Sequence, residues 1–274
     1  MNEKKSDSCS NYIQRTKRRA YPALVSLFVP RLDNPFFGEL TEKITTRFNK
    51  GNVHVSISGM INRNIELVKM FSPSATIMVC QMDTDFINKV AVEDNIIGIN
   101  CTFPEGMVFP SIEIDFRASY TELAERALSM GCRKFAFLTH REYEFQKAKF
   151  SHVREVLAKN GLHPVEPGGC NSFSDIKSFL SFASSKEKSV DVVFCEDDPT
   201  AVNLLAELAF SSINAGDLIV VGCDNTIPVS KLWTVEIDLD EIVEMTFKLY
   251  MQLMSQQIVT DKSVVRTKPV IRNA

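Results

Sequence analysis

Seven short apolar runs, separated by polar breaks and stretches of helical periodicity, constrain this chain more than any other feature. They lie at Leu24 to Val29, Val53 to Ile57, Ala75 to Cys80, Ile96 to Asn100, Lys134 to Thr139, Val190 to Cys195 and Leu218 to Cys223. Most are continuous rather than alternating, the pattern of parallel strands covered on both faces. Helices are predicted between them from Ile61, Ile65 and Val68, from Phe86 and Val90, from Tyr120 to Leu128, from Val153 to Leu157, and from Val202 to Leu208. The first helix starts near Pro35, carries Phe37, Leu40, Ile44 and Phe48 on one face, and ends at Lys50-Gly51. Strand–helix alternation of this kind demands right-handed crossovers and doubly wound sheets, so the expected class is α/β. The segment from Cys101 to Phe116, with Pro104, Gly106 and Pro110, splits the pattern into two lobes. The expected division is a tail over 1–23, an N-terminal lobe of 24–116 plus 239–256, and a C-terminal lobe of 117–238 plus 257–274.

A chain of 274 residues, 45% of them hydrophobic, can bury a full-sized core, as one large domain or as two lobes. A net charge of −3 argues against a nucleic-acid binder that uses its whole surface. Basic character is concentrated in the tail, where Lys4, Lys5, Arg15, Lys17, Arg18 and Arg19 face only Glu3 and Asp7. Seven cysteines, an odd number without CxxC spacing, read as reduced thiols in a cytoplasmic protein. No run approaches the roughly twenty apolar residues of a membrane helix, so no membrane partner is expected. His54, His140, His152 and His163 are scattered, which gives no metal site, and neither GxGxxG nor a Walker loop is present. No cofactor is expected.

In open α/β sheets ligands bind beyond the carboxyl ends of strands. The residues there are Arg31 to Phe37, Gln81 to Asp83, Asn100, His140 to Glu142, Glu196 to Asp198, and Asp224-Asn225. Within Glu196-Asp197-Asp198-Pro199, Asp198 suits a helix cap and Pro199 a first turn, whereas Asp197 has no such duty and is the freer candidate. Asp197, Asp198 and Asp224 do not form a defined acid/base pair, so binding outranks catalysis. Lys149 falls on the buried face of its helix. It either meets an anionic or polar partner or covers apolar surface with its stem while its ammonium reaches water. One of Phe36 and Phe37 belongs to the core, and the other is available as an apolar platform for a sugar face or a base.

Three strings, PRLDNPFFGEL, VVFCEDDPTAVNLL and DLIVVGCDNTIPVSKLWTVEIDLDEI, together resemble the effector-binding core of the LacI/GalR family of transcriptional regulators. The resemblance runs from about Val25 to the C-terminus. It implies a periplasmic-binding-protein-like type I core of two doubly wound parallel-sheet lobes, a small-molecule effector in the cleft between them, and a homodimer. It also implies operator binding through an N-terminal helix-turn-helix and hinge, controlled by lobe closure. By position, Phe36 and Phe37 match effector-contacting aromatics, Lys149 a cleft arginine, and Asn100 a cleft aspartate. Asp197 and Asp198 match a polar pair after the sixth strand, and Asp224 the aspartate of a Gly-x-Asp-Asn turn.

Departures from the family pattern are the lysine in place of arginine, a short Thr226 to Leu232 segment, and Ile237 in place of a common glutamine. A lysine lacks the bidentate fork of arginine. No helix-turn-helix precedes the core, and Arg15-Thr16-Lys17-Arg18 resembles the end of a hinge. The tail therefore reads as a hinge remnant, with DNA contact supplied by a missing or fused module. The expected function is non-enzymatic sensing of a sugar or polyol, in preference to a purine. The alternative is a stand-alone cytoplasmic sugar-binding protein.

Overall fold

The computed structural model describes residues 23–59, 70, 72–80, 84–91, 95–139, 144–165, 172–183, 189–210, 218–257 and 262–272. The basic tail, the helix predicted at Ile61 to Val68, and the strand-end residues Gln81 to Asp83 and His140 to Glu142 lie outside them. Along the chain come β1 (Ala23–Val29), α1 (Pro35–Lys50), β2 (Val53–Gly59), β3 (Ala75–Val79), α2 (Thr84–Ala91) and β4 (Ile96–Ile99). Next are β5 (Ser111–Asp115), α3 (Arg117–Ser129), β6 (Phe135–Leu138), α4 (Glu144–Lys159), α5 (Ile176–Ala183) and β7 (Val192–Cys195). Then follow α6 (Asp198–Phe210), β8 (Ile219–Val221), β9 (Leu232–Glu236), α7 (Leu239–Met254), β10 (Lys262–Arg266) and β11 (Lys268–Val270).

Two compact units result. The first takes the chain up to Leu32, Glu39–Ser111 and Val243–Asp261; the second takes Asp33–Gly38, Ile112–Ile242 and Lys262–Ala274. The segment Asp33–Gly38 falls in the second unit, although the chain on either side of it falls in the first.

In the first unit the strands run parallel in the order β4-β3-β1-β2. Val25, Leu27, Ile77, Ile97 and Ile99 are fully buried, as continuous apolar runs require of strands covered on both faces. Phe28, Met78, Phe86, Ile87, Val90 and Ile96 form one apolar cluster of this unit. On α1, Leu40, Ile44 and Phe48 are wholly buried at a spacing of four. The residue that continues this stripe one turn earlier is Phe36, which is buried, and not the expected Phe37, which is half-buried. A one-residue shift turns a helical side chain through about 100°, which is what separates the two aromatics.

The second unit carries a sheet in the order β11-β9-β8-β7-β6, parallel except for β11, which pairs antiparallel to β9. Ala136, Leu138, Val193, Cys195, Ala201, Leu204 and Val220 share one core cluster. On α3 the buried stripe is Ser119, Tyr120, Leu123, Ala124 and Ala127. Phe137 stacks on Phe150 of α4 at 4.6 Å between ring centres, and Tyr120 tilts against Phe194 at 5.8 Å.

A last helix with Ile242, Met245, Leu249 and Leu253 and the strand-like Ser263 to Val265 and Val270-Ile271 are also expected from sequence and correspond to α7, β10 and β11; two strands and one helix exceed those expectations. β5 has the sequence SIEID and buries only its two isoleucines, so it gives no continuous apolar run. β9, LWTVE, hides a fully buried threonine among its apolar residues. α5 is only eight residues long. No helix among the described residues is long and apolar enough to cross a membrane.

Candidate functional site

The second unit gathers its polar residues at the carboxyl ends of β7 and β8. The chain leaves β7 at Cys195 and enters α6 within three residues, which brings Glu196, Asp197 and Asp198 together. Glu196 continues the β-pairing, its N–H donating to the Leu138 carbonyl at 3.0 Å. Its buried carboxylate accepts the Thr139 hydroxyl at 2.7 Å.

The cap expected of Asp198 is supplied by Asp197. Asp197, read from sequence as having no structural duty, caps α6: its Oδ1 accepts the Thr200 N–H at 2.9 Å. Its Oδ2 accepts the side-chain amide of Asn34 at 3.0 Å. Asn34 is itself buried and caps α1, accepting the Phe36 N–H at 3.0 Å. A single asparagine thus ties the head of α1 to the head of α6, both within the second unit.

Asp198, expected to be the cap, is the first residue of α6 and is wholly buried. Its Oδ1 accepts the Thr234 hydroxyl at 2.6 Å, and its Oδ2 accepts the N–H groups of Thr226 at 2.9 Å and Ile227 at 3.4 Å. Its own N–H donates to the Cys223 carbonyl at 2.9 Å. Burial raises its pKa, and the bonds from Thr234, Ile227 and Thr226 pull it back. Gly222 makes this approach possible, since a Cβ there would stand 2.2 Å from Asp198 Oδ1. Asp198 therefore holds the 222–234 loop against α6.

Asp224 is different. It follows β8 at φ 96°, and Asn225 follows at φ 52°. Consecutive left-handed residues other than glycine cost on the order of 1–3 kcal/mol each and collect at functional sites. The Asp224 N–H donates to Val235, but no N–H or O–H among the described residues donates to its carboxyl, which meets the Cys223 thiol. Burial raises its pKa to about 7, Lys149 and the thiol oppose that rise, and Asp197 and Asp198 add to it. Behind it lie Cys223 and Tyr120, both fully buried. Burial pushes the thiol and the phenol well above their ordinary ranges, so both stay neutral.

Lys149 resolves the open choice between a partner and water: it is buried, and its Nζ donates to the Glu196 carbonyl at 3.0 Å. Its ammonium also lies 5.2 Å from the centre of the Phe116 ring. Burial would lower its pKa, but Cys223, Asp224, Asp197 and Glu196 outweigh it and the net shift is upward. It is thus a fixed cation under a group of carboxylates.

Phe36 and Phe37 meet edge to face at 5.2 Å, with Phe37 the half-buried member. In the first unit Asn100 ends β4, half-buried, at φ 53°. Its neighbour Cys101 donates its thiol to the carbonyl of Cys80, at 2.6 Å, and Cys80 is itself left-handed at φ 61°. Within the second unit, therefore, Asp197, Asp198, Asp224 and Lys149 share one electrostatic cluster. The sequence offers Asp33 or Asn34 as a cap of α1, but neither the bond from Asn34 to Asp197 nor Thr234 and Arg272, which touch the Asp224 turn from elsewhere in the chain. A buried threonine in a strand and an arginine beyond the last one carry no local signal.

A cavity of about 340 Å³ bordered by α3 and α4, lined by Arg117, His152, Glu155 and Lys159 among others, includes none of the predicted residues. No group of three His, Cys, Asp or Glu among the described residues can hold a metal ion.

No family model matches the sequence, and no curated protein does. Solved structures do match. A LacI family transcriptional regulator from Lactobacillus casei with bound glucose aligns with a TM-score of 0.75 at 15% identity, over 92% of this chain and 99% of that one. One from Enterococcus faecium with bound ribose gives 0.76 at 19%, over 92% and 98%. The lac repressor dimer bound to operator and an anti-inducer gives 0.77 at 14%, over 96% and 99%. The likeness extends over nearly the whole chain and establishes its fold.

Proposed function

We propose that this chain, which has the fold of a LacI-type effector-binding core, is the sensing domain of a LacI/GalR-type transcriptional regulator that binds a sugar or polyol. The observation that carries the reading is the Asp224 turn: a strained pair at a strand end, with a carboxyl that no protein N–H or O–H satisfies among the described residues. Neighbours of the same fold hold glucose and ribose. In the proposal Asp224 accepts a ligand hydroxyl, Asp197 and Asn100 contribute further polar contacts, and Phe37 offers a ring face. Asp198 and Lys149 act from beneath, the first by holding the loop and the second by balancing negative charge.

The ligand is sensed and not converted. It shifts the two units toward a closed state by its differential affinity, and that shift alters operator binding by a homodimer through a DNA-binding module. Calorimetry with D-ribose and D-glucose tests the binding. Asp224→Ala is expected to remove the binding and to leave the folded circular-dichroism spectrum intact. Unchanged affinity in that variant refutes the site, and release of a chemically altered sugar refutes the sensing role.

A further inference from the structure

The Asp224 carboxyl is only as well placed as Asn225 beside it, and Asn225 is held by groups remote in sequence. Two adjacent left-handed residues other than glycine persist only where the surroundings over-determine them. Three groups restrain Asn225. Its N–H donates to Thr234 Oγ1 at 3.3 Å, its side-chain amide donates to Glu236 at 3.2 Å, and its Oδ1 accepts from Arg272 Nη2. The first two bonds are at the long end of the range; the third is charge-assisted.

The second nitrogen of the same guanidinium, Nη1, donates to the carbonyl of Leu232 at 3.3 Å. One planar group therefore joins the start and the end of the 224–232 loop. The register of β11 explains how it arrives there. Lys268 pairs with Glu236 and Val270 with Thr234, so the next step along the antiparallel ladder sets Arg272 opposite Leu232. An ammonium on a lysine stem cannot present two donors in that fixed fork. Burial raises the pKa of Asp198, the residue that holds the same loop from the other side, and the charge of Arg272 is among the groups that oppose that rise.

We infer that Arg272 is the positioning residue of the effector site. It locks Asn225 in the left-handed conformation, keeps the Asp224 carboxyl presented, and sets ligand affinity without touching the ligand. The inference rests on the sugar-binding reading above. The test uses the full chain with Arg272→Met, Arg272→Gln and Arg272→Lys, D-ribose and D-glucose as probes in calorimetry, and HN–Hα scalar couplings of Asp224 and Asn225 as a report of φ.

The expected result is a folded Met variant whose affinity for the bound sugar falls by about tenfold or more, with altered couplings at Asp224 and Asn225. Lysine is expected not to restore it, and added methylguanidinium is expected to restore part of it. Should the Met variant unfold, the Gln variant is read in its place. Wild-type affinity together with unmoved couplings overturns the inference. If the wild-type protein takes up neither sugar, the functional reading fails by itself. The couplings then decide the positioning role alone: a change in the variant supports it, and none overturns it.

Discussion

Replacing Asp224 by asparagine isolates the cost of keeping a carboxylate in this turn. Burial raises the Asp224 pKa to about 7 from an ordinary value of 3.8. A raised pKa means that the folded protein holds the proton more tightly than the unfolded chain does. The contribution to stability is therefore fully present below the unfolded value and is lost as pH rises through about 7. Each unit is worth about 1.4 kcal/mol, so between pH 5 and pH 8 this one group removes at most about 3 kcal/mol. Partial contact of the residue with water reduces that to roughly 1–2 kcal/mol.

Asparagine keeps the size and tolerates the left-handed backbone, but it does not titrate. Urea unfolding of both proteins across pH 5 to 8 is the assay. The wild-type protein is expected to lose stability with rising pH by this amount relative to Asp224→Asn, the gap widening from pH 5 to about 7 and levelling off above it. Parallel pH profiles refute the reasoning, because they mean that Asp224 titrates alike in the folded and unfolded chain.

Three further outcomes can be checked by the same unfolding measurement. Gly222→Ala is expected to destabilise by about 1–3 kcal/mol, because the new methyl meets Asp198 Oδ1 at 2.2 Å and must push α6 or the loop away. Thr234→Val is expected to cost about 1–3 kcal/mol by leaving the buried Asp198 carboxylate without its hydroxyl donor; a loss under 0.5 kcal/mol refutes the loop-holding role of Asp198. The two aromatics of α1 are expected to separate, with Phe36→Ala costing about 3–5 kcal/mol as a core truncation. Phe37→Ala should have a smaller effect on stability and weaken sugar binding in calorimetry; equal destabilisation by both refutes the assignment.

The parallel strands were legible because a strand covered on both faces must be largely apolar, and β1, β3, β4, β6 and β7 satisfy that condition with only Ser26 of β1 and Thr76 of β3 as polar members. β5 was not, because only alternate residues are buried. The candidate site divides along a similar line. Asp224 and Asn100 stand out at strand ends, where position alone makes a residue a candidate. That Asp197 and not Asp198 caps α6 had no local trace. Which of two adjacent carboxylates caps the helix is settled by Thr226, Ile227 and Thr234, some thirty residues away, and by Asn34 on the far side of the sequence. The same holds for Phe36 and Phe37, where one step of helical phase decides, and for Lys149, whose partner is a backbone carbonyl that no side-chain pattern encodes.

The division of the chain into units also bears on how the protein is made. The second unit needs β10, β11 and Arg272, yet these follow Val243–Asp261, which belongs to the first unit. The first unit in turn waits for that same segment. A ribosome releasing the chain from its N-terminus therefore completes neither unit until nearly the whole sequence has emerged. No single proteolytic cut separates the two as intact pieces, and neither is a contiguous stretch that a shortened gene would encode.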